Sequence, residues 1–349
     1  MSQLKTLTVK GFKSIRHLEN FPLEKLTVLI GANGAGKSNF VEIFKLLREI
    51  GKGRLDAYTK INGGAPSFLF NGPTHTPFIL MQFEYDTAAL NNQYEIKLEV
   101  TVDEKFFLTV SGQSSLKKDI NIDVDNSILH STILHQIQMA NQWIVYHFHD
   151  TGAFAPMRRS DIIENNKELQ PDAGNIAPYL LMLKNNHTDS YQTIVQTIRL
   201  VAPFFDDFIL DIEKNPDNGA QTVKLMWKQK GSDYPMQPYH FSDGTLRFIC
   251  LVTALLQPSL PSTILIDEPE LGLHPYAIEI FAELVQAATQ KTQVILSTQS
   301  PTLVDYFTPN DIVVVDREQG GSTFHRLLEN LKPLSIAYSA DNTKTKIMA

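Results

Sequence analysis

Residues 26–44 read LTVLIGANGAGKSNFVEIF and combine a strand-like apolar run, a glycine-rich turn and a helical segment. In the helical segment, apolar residues recur at the spacing of one helix face. The turn, GANGAGKS at residues 31–38, fits the pattern G-x-x-x-x-G-K-[ST]. Strand, turn and helix in this order are the context that a phosphate-binding loop requires, so an accidental strand-to-helix turn is a poor alternative.

The residue types in this turn suit a triphosphate. Glycines allow consecutive backbone N–H groups to face phosphate oxygens, and the following helix directs the positive end of its dipole to the same place. Lys37 is long enough to reach the β- and γ-phosphates, and the Ser38 hydroxyl is a ligand for Mg²⁺. We therefore predict ATP and Mg²⁺ as cofactors. The predicted nucleotide-binding residues are Gly31, Ala32, Asn33, Gly34, Ala35, Gly36, Lys37, Ser38 and Asn39.

A second motif, TILIDEPE at residues 263–270, places two acids at the end of an apolar strand. Ligands of open α/β sheets lie at the carboxyl ends of the strands. Asp267 is the candidate carboxylate for the metal, directly or through water, and Glu268 is the candidate base that polarises the attacking water. The alternative is that the two acids only cap the strand and solvate a loop.

Composition limits the other function classes. The chain has 349 residues and a net charge of -7, without the basic excess typical of nucleic-acid binding, although a local basic patch is compatible with this balance. The single cysteine, Cys250, permits neither an intramolecular disulfide nor a multi-thiolate zinc site; we expect it to be buried and unreactive. No run has the length of a membrane span and no signal peptide is evident, so we predict a cytoplasmic protein without a membrane partner.

Apolar strands alternate with helical segments along the chain, which predicts an α/β fold with a mixed, largely parallel sheet. Strand-like alternation over residues 66–110 predicts an antiparallel insertion. We predict a composite core from residues 1–65 and 200–330, a β-rich lobe at 66–150, a small helical lobe at 151–200 and a polar, poorly ordered tail at 331–349.

Three motifs together, GANGAGKSN, FSDGTLRF and IDEPELGLHP, resemble those of ABC-type ATPase heads of the SMC, RecF and OLD class. Within that class the chain is most similar to compact bacterial predicted ATPases without a coiled coil. The resemblance implies a P-loop NTPase fold and a homodimer, or a higher even assembly, whose heads close on ATP. It also implies a role in DNA metabolism or bacterial antiviral defence, in which such ATPases gate a partner nuclease or toxin.

The resemblance also assigns roles to FSDGT at residues 241–245, which occupies the position of the ABC signature. Ser242 and Gly244 would contact the γ-phosphate held by the partner subunit. Asp243 and Thr245 depart from the usual Gly and Gln. The alternative is that Ser242 only caps a helix of its own subunit.

Two further segments receive roles in the same way. The segment STQSP, residues 297–301, has Gln299 where the class often has a switch histidine. Because an amide cannot become a cation, we expect Gln299 to have a positioning role and ATP turnover to be slow without a partner. The alternative is that Gln299 is only the polar tip of a loop. FKSIR at residues 12–16 resembles the turn that approaches the base and phosphates. Lys13 or Arg16 would do so here, unless both are ordinary surface charges.

The segment WIVYHFH, residues 143–149, predicts a buried strand. ABC heads carry a glutamine in the loop that follows, but this chain has His149, Asp150 and Thr151. On a strand, His147 and His149 would share one face and could form a metal cluster with Asp150, although a satisfied histidine pair is the commoner explanation.

Three functions compete. The first is an ATP-driven conformational switch that gates a separate effector, and the second is a scaffold whose ATP promotes assembly with little turnover. The third, a transporter ATPase subunit, is disfavoured because a strand-rich insertion and a helical lobe separate the phosphate loop from FSDGT. A nuclease in the same chain is disfavoured because we predict one sheet element, residues 312–316, and a tail after residue 301.

Overall fold

The computed structural model describes residues 3–87, 90–114, 118–123, 143–214 and 219–327. The predicted polar tail, residues 331–349, lies outside these ranges. The chain divides into two compact units. Unit 1 comprises Met1–Val145, Pro261–Leu265 and Gln293–Ala349, and unit 2 comprises Tyr146–Leu260 and Ile266–Thr292. The predicted lobe boundaries remain a prediction.

The described elements alternate between strands and helices through most of the chain. The strands are β1 (Gln3–Phe12), β2 (Ile15–Pro22), β3 (Leu26–Ile30), β4 (Phe78–Thr87), β5 (Leu90–Val100), β6 (Phe106–Ser114), β7 (Lys118–Asp123), β8 (Trp143–Tyr146), β9 (Asp161–Ile162), β10 (Phe205–Ile209), β11 (Ile212–Lys214), β12 (Gln221–Val223), β13 (Met226–Gln229), β14 (Pro235–Met236), β15 (Thr263–Asp267), β16 (Gln293–Thr298), β17 (Ile312–Glu318) and β18 (Gly321–Arg326). The helices are α1 (Lys37–Gly51), α2 (Leu55–Ile61), α3 (Ile176–Asn186), α4 (Thr188–Val201), α5 (Asp243–Leu256), α6 (Pro275–Ala288) and α7 (Pro301–Val304). Within the described ranges, these helices are too short or too polar to cross a bilayer.

The central sheet has the strand order β18-β17-β3-β16-β15-β8. β3 pairs in parallel with β16 and β17, and β18 pairs antiparallel with β17. Every residue of β3 and β16 is buried, as expected for parallel strands covered on both faces. The predicted mixed α/β sheet is confirmed.

The prediction of a single sheet element after residue 301 is wrong, because β17 and β18 form a hairpin. Its two-residue turn consists of Gln319 and Gly320, both with positive φ, at 49° and 82°. Two positive φ values match the right-handed twist of paired strands, which makes this turn suitable for a hairpin. The glycine pair at 320–321 was the signal for it in the sequence.

Unit 1 also contains an antiparallel sheet of order β2-β1-β4-β5-β6-β7. The first two strands of the chain thus join strands from the predicted insertion, with Leu7 opposite Phe83. One hydrophobic cluster joins this sheet, α1 and the central sheet, and its members include Leu7, Phe44, Trp143 and Ile295. The amphipathic helix after the phosphate loop is therefore fixed by burial of its apolar face.

Unit 2 has two small antiparallel sheets, β10-β13-β14 and β11-β12-β9, and the helices α3 to α6. Its core is aromatic, and the rings of Trp227 and Phe241 are stacked with centroids 4.5 Å apart. Cys250, on α5, is fully buried as predicted, and burial raises the pKa of its thiol. A high thiol pKa and full burial make this cysteine a poor nucleophile.

Candidate nucleotide site

The glycines of the phosphate loop are required by its backbone. Gly34 and Gly36 have φ values of 80° and 118°, which residues with a Cβ rarely adopt. At Gly31 the constraint is space, because a Cβ there would overlap the carbonyl oxygen of Val315. The loop ends where α1 begins at Lys37, as predicted, and Ser38 is exposed in the first turn of that helix.

The Lys37 ammonium stays beside the loop. Its Nζ donates to the carbonyl oxygens of Gly31 at 2.7 Å and Ala32 at 3.1 Å, and the residue is 5% exposed. Loop carbonyls thus orient a buried positive charge at a turn whose following helix directs its N–H groups and dipole to the same place. This combination of charge and backbone donors suits an anion.

Two serines outside the glycine-rich motif also contribute to the surroundings of the loop. Ser322 Oγ donates to the carbonyl oxygen of Ala35 at 2.6 Å, and Ser14 Oγ lies 2.7 Å from Ser322 Oγ. Asn39, a predicted site residue, donates to Ser14 Oγ at 2.7 Å. These serines come from opposite ends of the chain, so no local pattern could have identified them.

The remaining predicted residues of unit 1 have different surroundings. Lys13 Nζ forms an ion pair with Glu42 at 2.5 Å and lies 4.8 Å from the centroid of the Phe68 ring. Its positive charge is therefore already compensated within the protein. Arg16 is exposed. Gln299 is half-buried between the end of β16 and Ser300, which caps α7. Lys13 is therefore a poorer candidate for a nucleotide contact than Arg16.

In unit 2, β15 ends at Asp267, which is 8% exposed. Its Oδ1 is buried and has no hydrogen-bond partner among the described residues. A buried carboxylate oxygen without a donor is costly, and carboxylate oxygens are preferred ligands of Mg²⁺, so this atom fits a metal ligand. Glu268, which follows, has a φ of 45°; strain of this kind in a non-glycine residue clusters at functional sites.

The signature-like segment is held in an ordered turn. Ser242 caps α5, because its Oγ accepts a hydrogen bond from the Thr245 N–H at 3.1 Å, and Ser242 is exposed. A Cβ at Gly244 would overlap the carbonyl oxygen of Gly272, so glycine is needed for close approach of that loop. The Ser242 hydroxyl also lies 2.8 Å from the Thr245 hydroxyl, and both side chains are at the amino terminus of α5.

Asp243, which replaces the usual glycine of the signature, has a specific partner. Its Oδ1 lies 2.9 Å from an Nη of Arg158, whose guanidinium is buried. Other Arg158 donors reach the carbonyl oxygens of Thr151, Pro238 and Phe241. No pattern in the sequence indicates that Arg158 organises this turn, because its acceptors are mostly backbone carbonyls.

Arg247, one turn into α5, ties three segments of unit 2 together. Its Nε donates to the carbonyl oxygen of Phe148 at 2.8 Å and one Nη donates to that of His149 at 3.0 Å. Its other Nη donates to the carbonyl oxygen of Leu271. Burial lowers the pKa of Arg247. His149 Nε2 in turn lies 2.9 Å from the carbonyl oxygen of Asp267. The segment after β8, the loop after β15 and α5 are therefore linked.

The predicted strand WIVYHFH is shorter than expected. β8 ends at Tyr146, because the N–H of His147 donates to the carbonyl oxygen of Pro171 at 3.0 Å. His147 and His149 therefore do not share a strand face. Within the part of the chain that the structure describes, no group of three His, Cys, Asp or Glu side chains is arranged to hold a metal.

We expect Arg247→Lys to lower the free energy of unfolding by about 3 kcal/mol, because lysine cannot supply a planar fork to three carbonyl acceptors. Urea denaturation measures the change. The matched control is Arg159→Lys, since Arg159 is exposed and its Nε donates to the carbonyl oxygen of Phe154. Equal losses for both variants would contradict a linking role for Arg247.

Comparisons with known proteins agree with this architecture. A protein-family model described as "AAA domain, putative AbiEii toxin, Type IV TA system" matches residues 26–305. Among curated proteins, the "Retron Vc95 probable ATPase" of Vibrio cholerae serotype O1 biovar El Tor is 24% identical over 166 residues. That match covers 44% of this chain and 31% of the relative, so the aligned part spans less than a third of the relative's length.

Solved structures show the same fold at low identity. A Smc head bound to the C-winged helix domain of ScpA has a TM-score of 0.61 and 16% identity, covering 92% of this chain and 96% of that one. A Pyrococcus furiosus Smc head with an extended coiled coil, bound to the C-terminal domain of ScpA, has a TM-score of 0.57 and 16% identity, covering 93% and 96%. The SMC head domain from Thermotoga maritima has a TM-score of 0.50 and 14% identity, covering 93% and 99%. The predicted resemblance to SMC-type heads is confirmed.

Proposed function

We propose that this chain, which belongs to the family described as AAA domain, putative AbiEii toxin, Type IV TA system, hydrolyses ATP with Mg²⁺ and thereby controls a separate effector protein. Family membership and fold make it an ATPase of the AAA/SMC-like class, related to a retron ATPase. The observation that carries the proposal is the glycine loop with the buried Lys37 ammonium held at its carbonyl oxygens.

The site chemistry divides among a few residues. Ser38 Oγ and the Asp267 carboxylate would hold Mg²⁺, which when bound neutralises charge on the phosphate oxygens. Lys37 and the loop N–H groups bind the β- and γ-phosphates. Glu268 accepts the proton of the water whose oxygen attacks the γ-phosphorus as the bond to the ADP oxygen breaks, and Gln299 orients that water.

We further propose that two copies close head to head on ATP, as a homodimer or a higher even assembly. The support is the exposure of Ser242 at the amino terminus of α5, where backbone N–H groups and the serine hydroxyl suit a γ-phosphate presented by a second copy. Gly244 would contact the same phosphate. Closure on ATP and relaxation after hydrolysis would then bias a bound nuclease or toxin in antiviral defence or DNA metabolism.

A metal-removal experiment tests the hydrolytic function. We expect phosphate release from ATP in the presence of Mg²⁺ and a loss of at least ~100-fold on chelation with EDTA, restored by added Mg²⁺, because the ion stabilises the charge that develops on the phosphates. A rate that EDTA leaves unchanged would contradict the proposal.

The variant Asp267→Asn tests whether Asp267 is a ligand of the magnesium ion. Because the Asp267 Oδ1 is buried without a donor, removing its charge should leave the melting temperature of the nucleotide-free protein equal to or above that of the wild type. The additional stabilisation by ATP and Mg²⁺ should be lost. A variant that melts lower without nucleotide, yet keeps that stabilisation, would show that Asp267 is structural.

A further inference from the structure

A directed chain of hydrogen bonds lies against the phosphate loop. Ser322 Oγ must donate to the carbonyl oxygen of Ala35, since a carbonyl can only accept. Ser14 therefore donates to Ser322 Oγ, and Ser14 Oγ accepts from the Asn39 amide. Ser322 is 4% exposed, so the chain is shielded from water at this end. Ser14 and Asn39 are half-buried, and hydrogen bonds in such partly shielded networks restrict the geometry of their members.

The backbone joins the same segments. The Ser322 N–H donates to the carbonyl oxygen of Ser14 at 2.7 Å, which ties β18 to the turn between β1 and β2. The Phe324 ring lies 5.4 Å from that of Phe40 on α1, centroid to centroid, and anchors the hairpin beside the helix that follows the loop. The β17–β18 hairpin thus meets both ends of the phosphate loop, because Val315 faces Gly31 and Ser322 faces Gly36.

The contact with Ala35 sets the direction of one phosphate-binding donor. In a trans peptide, the C=O and N–H groups point in opposite directions. Holding the Ala35 carbonyl on Ser322 therefore turns the Gly36 N–H, which belongs to the same peptide, away from Ser322. Gly36 must lack a Cβ here, because the space is occupied by the hydroxyls of Ser322 and Ser14.

We propose that Ser322 and Ser14 are positioning residues that preset the Ala35–Gly36 peptide for phosphate binding. The inference rests on the proposed nucleotide site at residues 31–38. Both serines lie outside residues 26–305, the part of the chain that the family model matches. The β17–β18 hairpin therefore contributes to the nucleotide site, because its Ser322 positions the phosphate loop.

The test compares Ser322→Ala with the wild type by calorimetric titration with the ATP analogue AMP-PNP and Mg²⁺. We expect the Kd to rise about tenfold, because the Gly36 N–H is no longer preset and must be ordered on binding. The kcat at saturating ATP should change less than about threefold, since no catalytic group is touched. Hydrogen exchange of the 31–38 amides without nucleotide should accelerate. Ser322→Thr, which keeps the hydroxyl, should restore binding.

Thr323→Val is the matched control. Thr323 is the next residue of β18, and its Oγ1 is buried without a hydrogen-bond partner among the described residues, so its removal should change neither Kd nor exchange. If Ser322→Ala fails to fold, Ser14→Ala tests the same series of hydrogen bonds, because Ser14 lies in the turn between β1 and β2. Wild-type-like Kd values for both serine variants would overturn the inference. A wild type that does not bind AMP-PNP would instead refute the proposed function.

Discussion

Replacing Lys37 by alanine will abolish ATP binding and, with it, nucleotide-dependent self-association. The Lys37 ammonium is buried beside the loop, where it would pair with the phosphates of ATP. Removing one partner of such a desolvated charge pair should raise the Kd for the nucleotide by at least ~100-fold. Calorimetric titration with AMP-PNP and Mg²⁺ measures the binding. Sedimentation velocity with and without the analogue measures self-association.

Lys45→Ala is the control for that experiment, since Lys45 lies on the same helix beyond its first two turns. We expect it to bind and associate as the wild type does. Dimers that still form with AMP-PNP in the Lys37→Ala variant would count against closure of two heads on nucleotide.

Glu268→Gln will separate binding from hydrolysis. The amide has nearly the shape of the carboxylate but cannot accept the proton of the attacking water, and a general base contributes about 10²–10⁴-fold to a rate. We expect phosphate release to fall by at least ~100-fold, with the Kd for AMP-PNP changed less than about threefold. ATP-bound dimers should then accumulate and persist in sedimentation experiments.

Glu279→Gln, an exposed position on α6, is the matched control and should hydrolyse ATP at the wild-type rate. The same assay distinguishes a switch from a scaffold. If the wild type and Glu268→Gln both fail to hydrolyse ATP, yet ATP drives assembly in both, the scaffold function is correct. If Glu268→Gln hydrolyses as fast as the wild type, the base lies elsewhere.

Local signals in the sequence predicted much of the fold around the site. The start of α1 at Lys37 follows from the glycine loop, and α5 begins at Asp243, directly after its cap Ser242. Both depend on residues close in sequence, where backbone preference and periodicity act. The strand after residue 142 was predicted too long: β8 ends at Tyr146, and the N–H of His147 donates to the distant carbonyl oxygen of Pro171.

The residues that organise the motifs could not be predicted in this way. Arg158 acts mainly through Asp243 and the carbonyls of Pro238 and Phe241, about 80 residues away in sequence. Ser322 meets the phosphate loop because the hairpin that carries it is joined to β3 through β17. Their residue types are ordinary, and their roles arise from tertiary packing. The sequence therefore predicts which groups would touch ATP, but it does not indicate the groups that hold them in position.

The most direct measurement is a structure of the Glu268→Gln protein with ATP and Mg²⁺. Our account predicts the triphosphate on the N–H groups of residues 31–38 and a magnesium ion that contacts Ser38 Oγ and meets Asp267 Oδ1, directly or through one water. Nucleotide bound away from the glycine loop, or a magnesium ion beyond the reach of Asp267, would contradict it.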